Sequence, residues 1–293
     1  MKLLLKVFDF LLSTYLFIAS ASVCLVLETN LLVAGKPDVT GLSMFIFFST
    51  ILIYNFHRVS GLFEDHFFSV ELFSERLKKI PFSVKMMTCI AVTGMLSSAC
   101  FIQVKTLFWF LPLALLTLAY SVPVLKVNGK MKRLREIFLV KITTLAFVWS
   151  FVTVTLPFID FGIDVFTKSS LSIFAQRFLF MLAICIPFEI RDMEQEKKWG
   201  NMTLPQLIGI NKSKMVGVFA LLIFTLLVFF QFDRNEIADH SIHHYTAPLI
   251  ISAIIASLFI LSSHQHRSNY YFRIFTDGTM QLQFILLLLF NPY

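Results

Sequence analysis

The sequence predicts an all-α polytopic membrane protein, a bundle of about nine transmembrane helices forming a single transmembrane domain over residues 1–293. Three observations predict it. Hydrophobic residues make up 57% of the chain and charged residues 15%, and the mean hydropathy is +0.78, a balance that no water-exposed globular surface accommodates. The apolar residues fall in runs close to the ~20 residues a helix needs to cross a ~30 Å hydrocarbon core. Finally, the loops between those runs alternate in charge, as the positive-inside rule requires of a chain that crosses repeatedly.

Taken in order, the spans lie near 8–31, 39–57, 85–103, 105–121, 138–159, 170–190, 213–232, 246–263 and 272–291. The first follows a basic start resembling a signal sequence, but its apolar part runs on past twenty residues towards Glu28, so it reads as a retained span. The third and fourth are nearly fused. Gln103 to Lys105 divide them, and Phe108, Trp109 and Phe110 follow, which suits a tight turn at the headgroup boundary. Cys24, Cys89, Cys100 and Cys185 all sit in apolar runs without metal-ligand spacing and read as small packing residues, with no disulfide framework.

The loops 58–84, 122–137, 191–212 and 264–271 are basic, whereas 32–38, 160–169 and 233–245 are short or mildly acidic. With the N-terminus and flanks, the first set carries 20 of the 25 Lys and Arg. The other side holds Lys36, Lys105, Lys168 and Arg234, and Arg177 lies inside a span. The basic side is therefore expected to be cytoplasmic, with the bacterial inner membrane as the expected location. The net charge of +7 calls for no nucleic acid, since anionic lipid headgroups and an anionic substrate suffice as partners. Arg177, at membrane depth, needs a polar partner, and Asp160 or Asp164 is the expected acid. Asp239, His240, His243 and His244 form a cluster on the opposite face, read as a solvated loop.

The most informative stretch follows the sixth span: Glu189-Ile-Arg191-Asp192-Met-Glu194-Gln-Glu196-Lys197-Lys198-Trp-Gly200-Asn-Met-Thr203-Leu204-Pro205, then Gly209. If the helix continues to Glu196, then Glu189, Asp192 and Glu196, at i, i+3 and i+7, form one acidic stripe at the membrane surface. Stacked acids repel unless a cation lies between them. Mg²⁺ prefers carboxylate oxygens together with substrate phosphate oxygens, so the stripe beside Lys197 and Lys198 suits a metal-bound diphosphate. The same residues also suit a solvated helix end whose charges only set topology. Gly200 is expected to end the helix, and Pro205 to start an extended turn.

The run Asp192, Glu194, Glu196, Gly200, Thr203, Leu204, Pro205 and Gly209 resembles the second acidic motif of the UbiA superfamily of intramembrane prenyltransferases, which reads D-x-E-x-D-x-x-x-G-x-x-T-L-P with a glycine nearby. The segment Tyr120-Ser-Val-Pro123-Val-Leu-Lys126 resembles the stretch that ends helix four in that family, and Asp277-Gly278 an acidic position of its last helix. The resemblance implies a UbiA-like bundle of nine helices around a central cavity. The implied reaction is Mg²⁺-dependent transfer of a prenyl group from a (poly)prenyl diphosphate to a lipophilic, often aromatic, acceptor. Carried over, it makes Asp192 and Glu196 catalytic metal ligands, with Asn55 a further ligand. The expected diphosphate contacts are Asn55, Arg58, Lys126, Arg191 and Lys197.

Two departures stand out. Glu196 replaces the usual Asp, which lengthens the arm by one methylene but keeps an oxygen donor. In the first motif, N-D-x-x-D-x-x-x-D, Asn55 matches, but Phe56, Val59 and Phe63 hold the three acid positions, and apolar side chains cannot bind Mg²⁺. Glu64, Asp65 and His66 are substitute ligands in reach, and Arg58 is a fixed cation able to grip phosphate through a bidentate fork. Arg58 also fits a positive-inside anchor, and His57 a surface polar residue. The alternative function is a non-catalytic UbiA-like protein that binds an isoprenoid lipid or acts as an assembly partner, and a transporter is a third.

Overall fold

The computed structural model describes residues 2–60, 80–127, 130–231 and 243–291. Glu64, Asp65 and His66, the substitute ligands named above, and Phe63, Asp239 and His240 lie outside the described residues, as does most of the 58–84 loop.

The apolar runs become helices: α1 (Lys2–Ser13), α2 (Leu16–Ala34), α3 (Gly41–Ser60), α4 (Phe82–Ala99), α5 (Val104–Ser121), α6 (Val140–Asp160), α7 (Lys168–Lys198), α8 (Leu204–Ile208), α9 (Ile210–Phe230), α10 (His243–Ser262) and α11 (Asp277–Phe290). The stretch Phe151–Thr155 of α6 and the turn Tyr271–Thr276 before α11 are π-helical. Seven of the described helices are long and apolar enough to cross a membrane. Together with α3 and the stretch from Tyr271 to Phe290, every expected span coincides with helix. The protein is an integral membrane helical bundle.

Two local features differ from the sequence reading. The first span is interrupted, because Tyr15 adopts a left-handed φ of 62° between α1 and α2. The loop 122–137 contains a two-stranded antiparallel ribbon, β1 (Leu125–Val127) and β2 (Lys130–Lys132), with Lys126 opposite Met131. The alternation Leu-Lys-Val and Lys-Met-Lys has the period of two that a strand needs.

Two compact units divide the chain. The first comprises residues 1–23 and 39–133, the second 24–38 and 134–293. In the first, α3 packs along α4. Ala19, Ile51 and Ala91 form a buried cluster with Leu16, Phe47, Phe48, Leu52 and Met87 against it. Gly94 lets the ring of Phe48 lie against the α4 backbone, where a Cβ would collide with it. Such small-residue contacts hold membrane helices together where lipid is as apolar as the side chains.

In the second unit, α7 packs between α6 and α9, α9 packs on α10, and α10 on α11. Gly217 of α9 gives Ile186 and Ile260 room to approach. Arg177 of α7 does not pair with Asp160 or Asp164. Its Nη2 lies 2.8 Å from Glu28 Oε1 on α2, with both side chains almost fully buried. Nη1 donates to Glu28 Oε2 at 3.3 Å and Nη2 to the carbonyl of Leu25 at 3.4 Å. A charge at this depth requires such compensation, and the acid that supplies it is 149 residues away in sequence.

Candidate functional site

The acidic stripe is built on the last three turns of α7, which runs unbroken past Glu196 to Lys198. Gly200, at φ 74°, follows the helix end, as its lack of a Cβ allows. Pro205 does not start an extended turn. It occupies the first turn of the short α8, with Thr203 as the N-cap residue. Gln206 pins this turn in place, accepting from the Thr203 amide at 2.9 Å and donating through Nε2 to the carbonyl of Met193 at 2.6 Å. Pro fits at a helix start because its missing N–H would go unbonded there.

Each acid of the stripe meets a protein cation. Arg191 holds the neighbouring Asp192 through both oxygens, Nε to Oδ1 at 2.6 Å and Nη2 to Oδ2 at 3.0 Å. Its guanidinium stacks over Phe188 at 5.0 Å and Phe272 at 5.5 Å from the ring centroids, which fixes the fork. Glu189 and Glu196, two turns apart, are bridged by Lys141 from the start of α6. The ammonium lies 2.9 Å from Glu189 Oε1 and 2.8 Å from Glu196 Oε1. The other oxygen of Glu196 accepts from Asn201 Nδ2 at 2.9 Å. Lys141, Glu189, Glu196, Asn201 and Thr203 share a pocket with Arg135. Glu194 and Lys197 are exposed.

Of the residues expected on the first unit, Asn55 is 5% exposed, and neither polar atom of its side-chain amide has a partner among the described residues. Arg58 stacks over Tyr15, its Cζ 5.0 Å from the ring centroid. His57 Nδ1 is 2.7 Å from Ser121 Oγ, and Ser121 Oγ donates to the Thr117 carbonyl at 2.9 Å. Lys126 is exposed on β1. The sequence reading passed over Lys141 as one more basic residue. The signal for it was a lone lysine just inside an apolar span, which needs an acidic partner.

Asp192 and Glu196, one turn apart on α7, are hard oxygen donors, and the Asp192 side chain is 28% exposed. The donor chemistry therefore suits Mg²⁺. Among the described residues, no group of three or more His, Cys, Asp or Glu stands together. The remaining oxygens of a coordination shell would come from phosphate and water.

No family model matches the sequence, and no curated protein matches it. Solved structures do. A UbiA homolog from Archaeoglobus fulgidus aligns over 96% of this chain and 98% of its own, with a TM-score of 0.61 at 14% identity. The same homolog bound to GPP and Mg²⁺ aligns over 92% and 95%, with a TM-score of 0.60 at 14% identity. A digeranylgeranylglyceryl phosphate synthase structure aligns over 95% and 97%, with a TM-score of 0.54 at 16% identity.

Proposed function

Because this chain has the UbiA fold and carries paired carboxylates at the basic end of α7, we propose that it is a prenyltransferase. It moves a prenyl group from an allylic (poly)prenyl diphosphate to a lipophilic acceptor within the membrane, with its N-terminus and basic loops facing the cytoplasm. The observation that carries this reading is the pair Asp192 and Glu196, spaced one helical turn apart, followed by the Gly200 helix end and the Thr203-capped turn.

Bound Mg²⁺ supplies positive charge that neutralises the diphosphate as a leaving group. Asp192 and Glu196 would hold that ion, and Asn55, Arg58, Lys126, Arg191 and Lys197 are the proposed contacts to the diphosphate, with Asn55 also proposed as a metal ligand. In the reaction the allylic C1–O bond breaks and its electron pair leaves with the diphosphate. A nucleophilic atom of the acceptor then bonds to C1 and gives up its proton. Apolar helices shelter the allylic cation from water, which would otherwise capture it.

A specific pair of observations favours a second reading, a non-catalytic isoprenoid-binding protein. The first-motif acid positions are Phe56, Val59 and Phe63, and every carboxylate of the stripe is already compensated by a protein cation. Equilibrium binding of radiolabelled geranyl diphosphate with and without Mg²⁺ tests the metal site on which the first reading rests. Asp192→Asn and Glu196→Gln abolish the Mg²⁺-dependent component under the first reading. Binding unchanged by either substitution rejects the site.

A further inference from the structure

Among the described residues, Lys141 is the cation that touches two acids of the stripe. It reaches from the first turn of α6 to Glu189 and Glu196 at 2.9 and 2.8 Å. Asn201 closes the second oxygen of Glu196, so both oxygens of this carboxylate are engaged. Glu189 is 5% exposed, and a carboxylate so buried is costly unless a cation stays beside it. The ammonium therefore stands where an ion bound to Glu196 would have to enter.

We propose that Lys141 is a positioning residue and a resident counter-ion: it competes with divalent metal for Glu196 and so sets the metal affinity of the acidic stripe. This rests on the metal-binding reading of Asp192 and Glu196 above. A point charge on a four-carbon stem suits the role, since it withdraws by rotamer change when a stronger cation arrives. The bridge keeps Glu189 and Glu196 compensated while no metal is bound. Arg191 plays a different part, because its fork is held by two rings as well as by Asp192.

The test is Mn²⁺ binding to the full chain in detergent, read by the loss of the free-ion electron paramagnetic resonance signal, with no diphosphate present. Lys141→Met removes the competitor and tightens Mn²⁺ binding by roughly tenfold or more, the worth of a hydrogen bond to a charged group. Lys141→Arg keeps a competing cation and binds Mn²⁺ no more tightly than wild type. Lys141→Met combined with Glu189→Gln removes one charge of each sign. It is therefore both a variant that relieves the buried acid and a control for net charge, and it too binds Mn²⁺ more tightly than wild type. Unchanged or weaker binding in the single and double variants, while Glu196→Gln still abolishes it, overturns the role of Lys141 and leaves the metal site standing. No binding in any variant overturns both.

Discussion

Replacing Arg177 by methionine while Glu28 stays in place leaves a carboxylate buried without its counter-ion. At 2.8 Å the gross attraction of the pair is about 6 kcal/mol at an effective dielectric of ~20, much of it offset by the desolvation of both groups. The loss on breaking one side of such a pair is about 3 to 5 kcal/mol. For a chain of this size that corresponds to a fall in melting temperature on the order of 10 °C. Thermal unfolding of the detergent-purified protein, followed by circular dichroism or by aggregation-coupled fluorescence, reads it directly. The double substitution Arg177→Met with Glu28→Met removes both charges and recovers most of the loss, because the cost lies in the orphaned carboxylate. An Arg177→Met protein as stable as wild type, or a double variant no better than the single, would refute the reasoning.

Gly94→Ala places a Cβ against the Phe48 ring and should destabilise the α3–α4 contact by about 1 to 3 kcal/mol, measured in the same thermal assay. Arg58→Ala should weaken prenyl diphosphate binding by roughly one to three orders of magnitude, and Arg58→Lys should recover only part. If Glu64→Gln with Asp65→Asn abolishes Mg²⁺-dependent binding while Arg58→Ala is silent, the missing first-motif charge is supplied by displaced metal ligands instead. Cysteines placed at Lys78, Lys132 and Lys198 should label only from the cytoplasm. The background must lack Cys89 and Cys100, which are exposed; labelling of any one site from the opposite side defeats the proposed topology.

The helices were legible because span length and apolarity are properties of contiguous sequence, and each expected span coincides with helix. The continuation of α7 through Glu196 and its end at Gly200 were legible for the same reason, since the signals are local. The left-handed break at Tyr15 was not, because no glycine or proline marks it. Ion pairing was the least legible layer. Lys141 meets Glu196 across 55 residues and Arg177 meets Glu28 across 149, so only helix packing decides which acid each cation finds. From sequence the acidic stripe suits either a metal-bound diphosphate or a solvated helix end, whereas the fold closes Glu189 and Glu196 with Lys141 and Asp192 with Arg191.

Transfer itself is the most direct test of prenyltransferase activity. The purified protein in lipid vesicles is incubated with radiolabelled allylic diphosphates of increasing chain length, Mg²⁺, and a total lipid and quinone-precursor extract, and the products are resolved by thin-layer chromatography. The expected result is a new lipophilic radiolabelled product and released diphosphate, both dependent on Mg²⁺ and both lost in Asp192→Asn and in Glu196→Gln. A folded wild-type protein that binds the diphosphates yet forms no product at any chain length would contradict it.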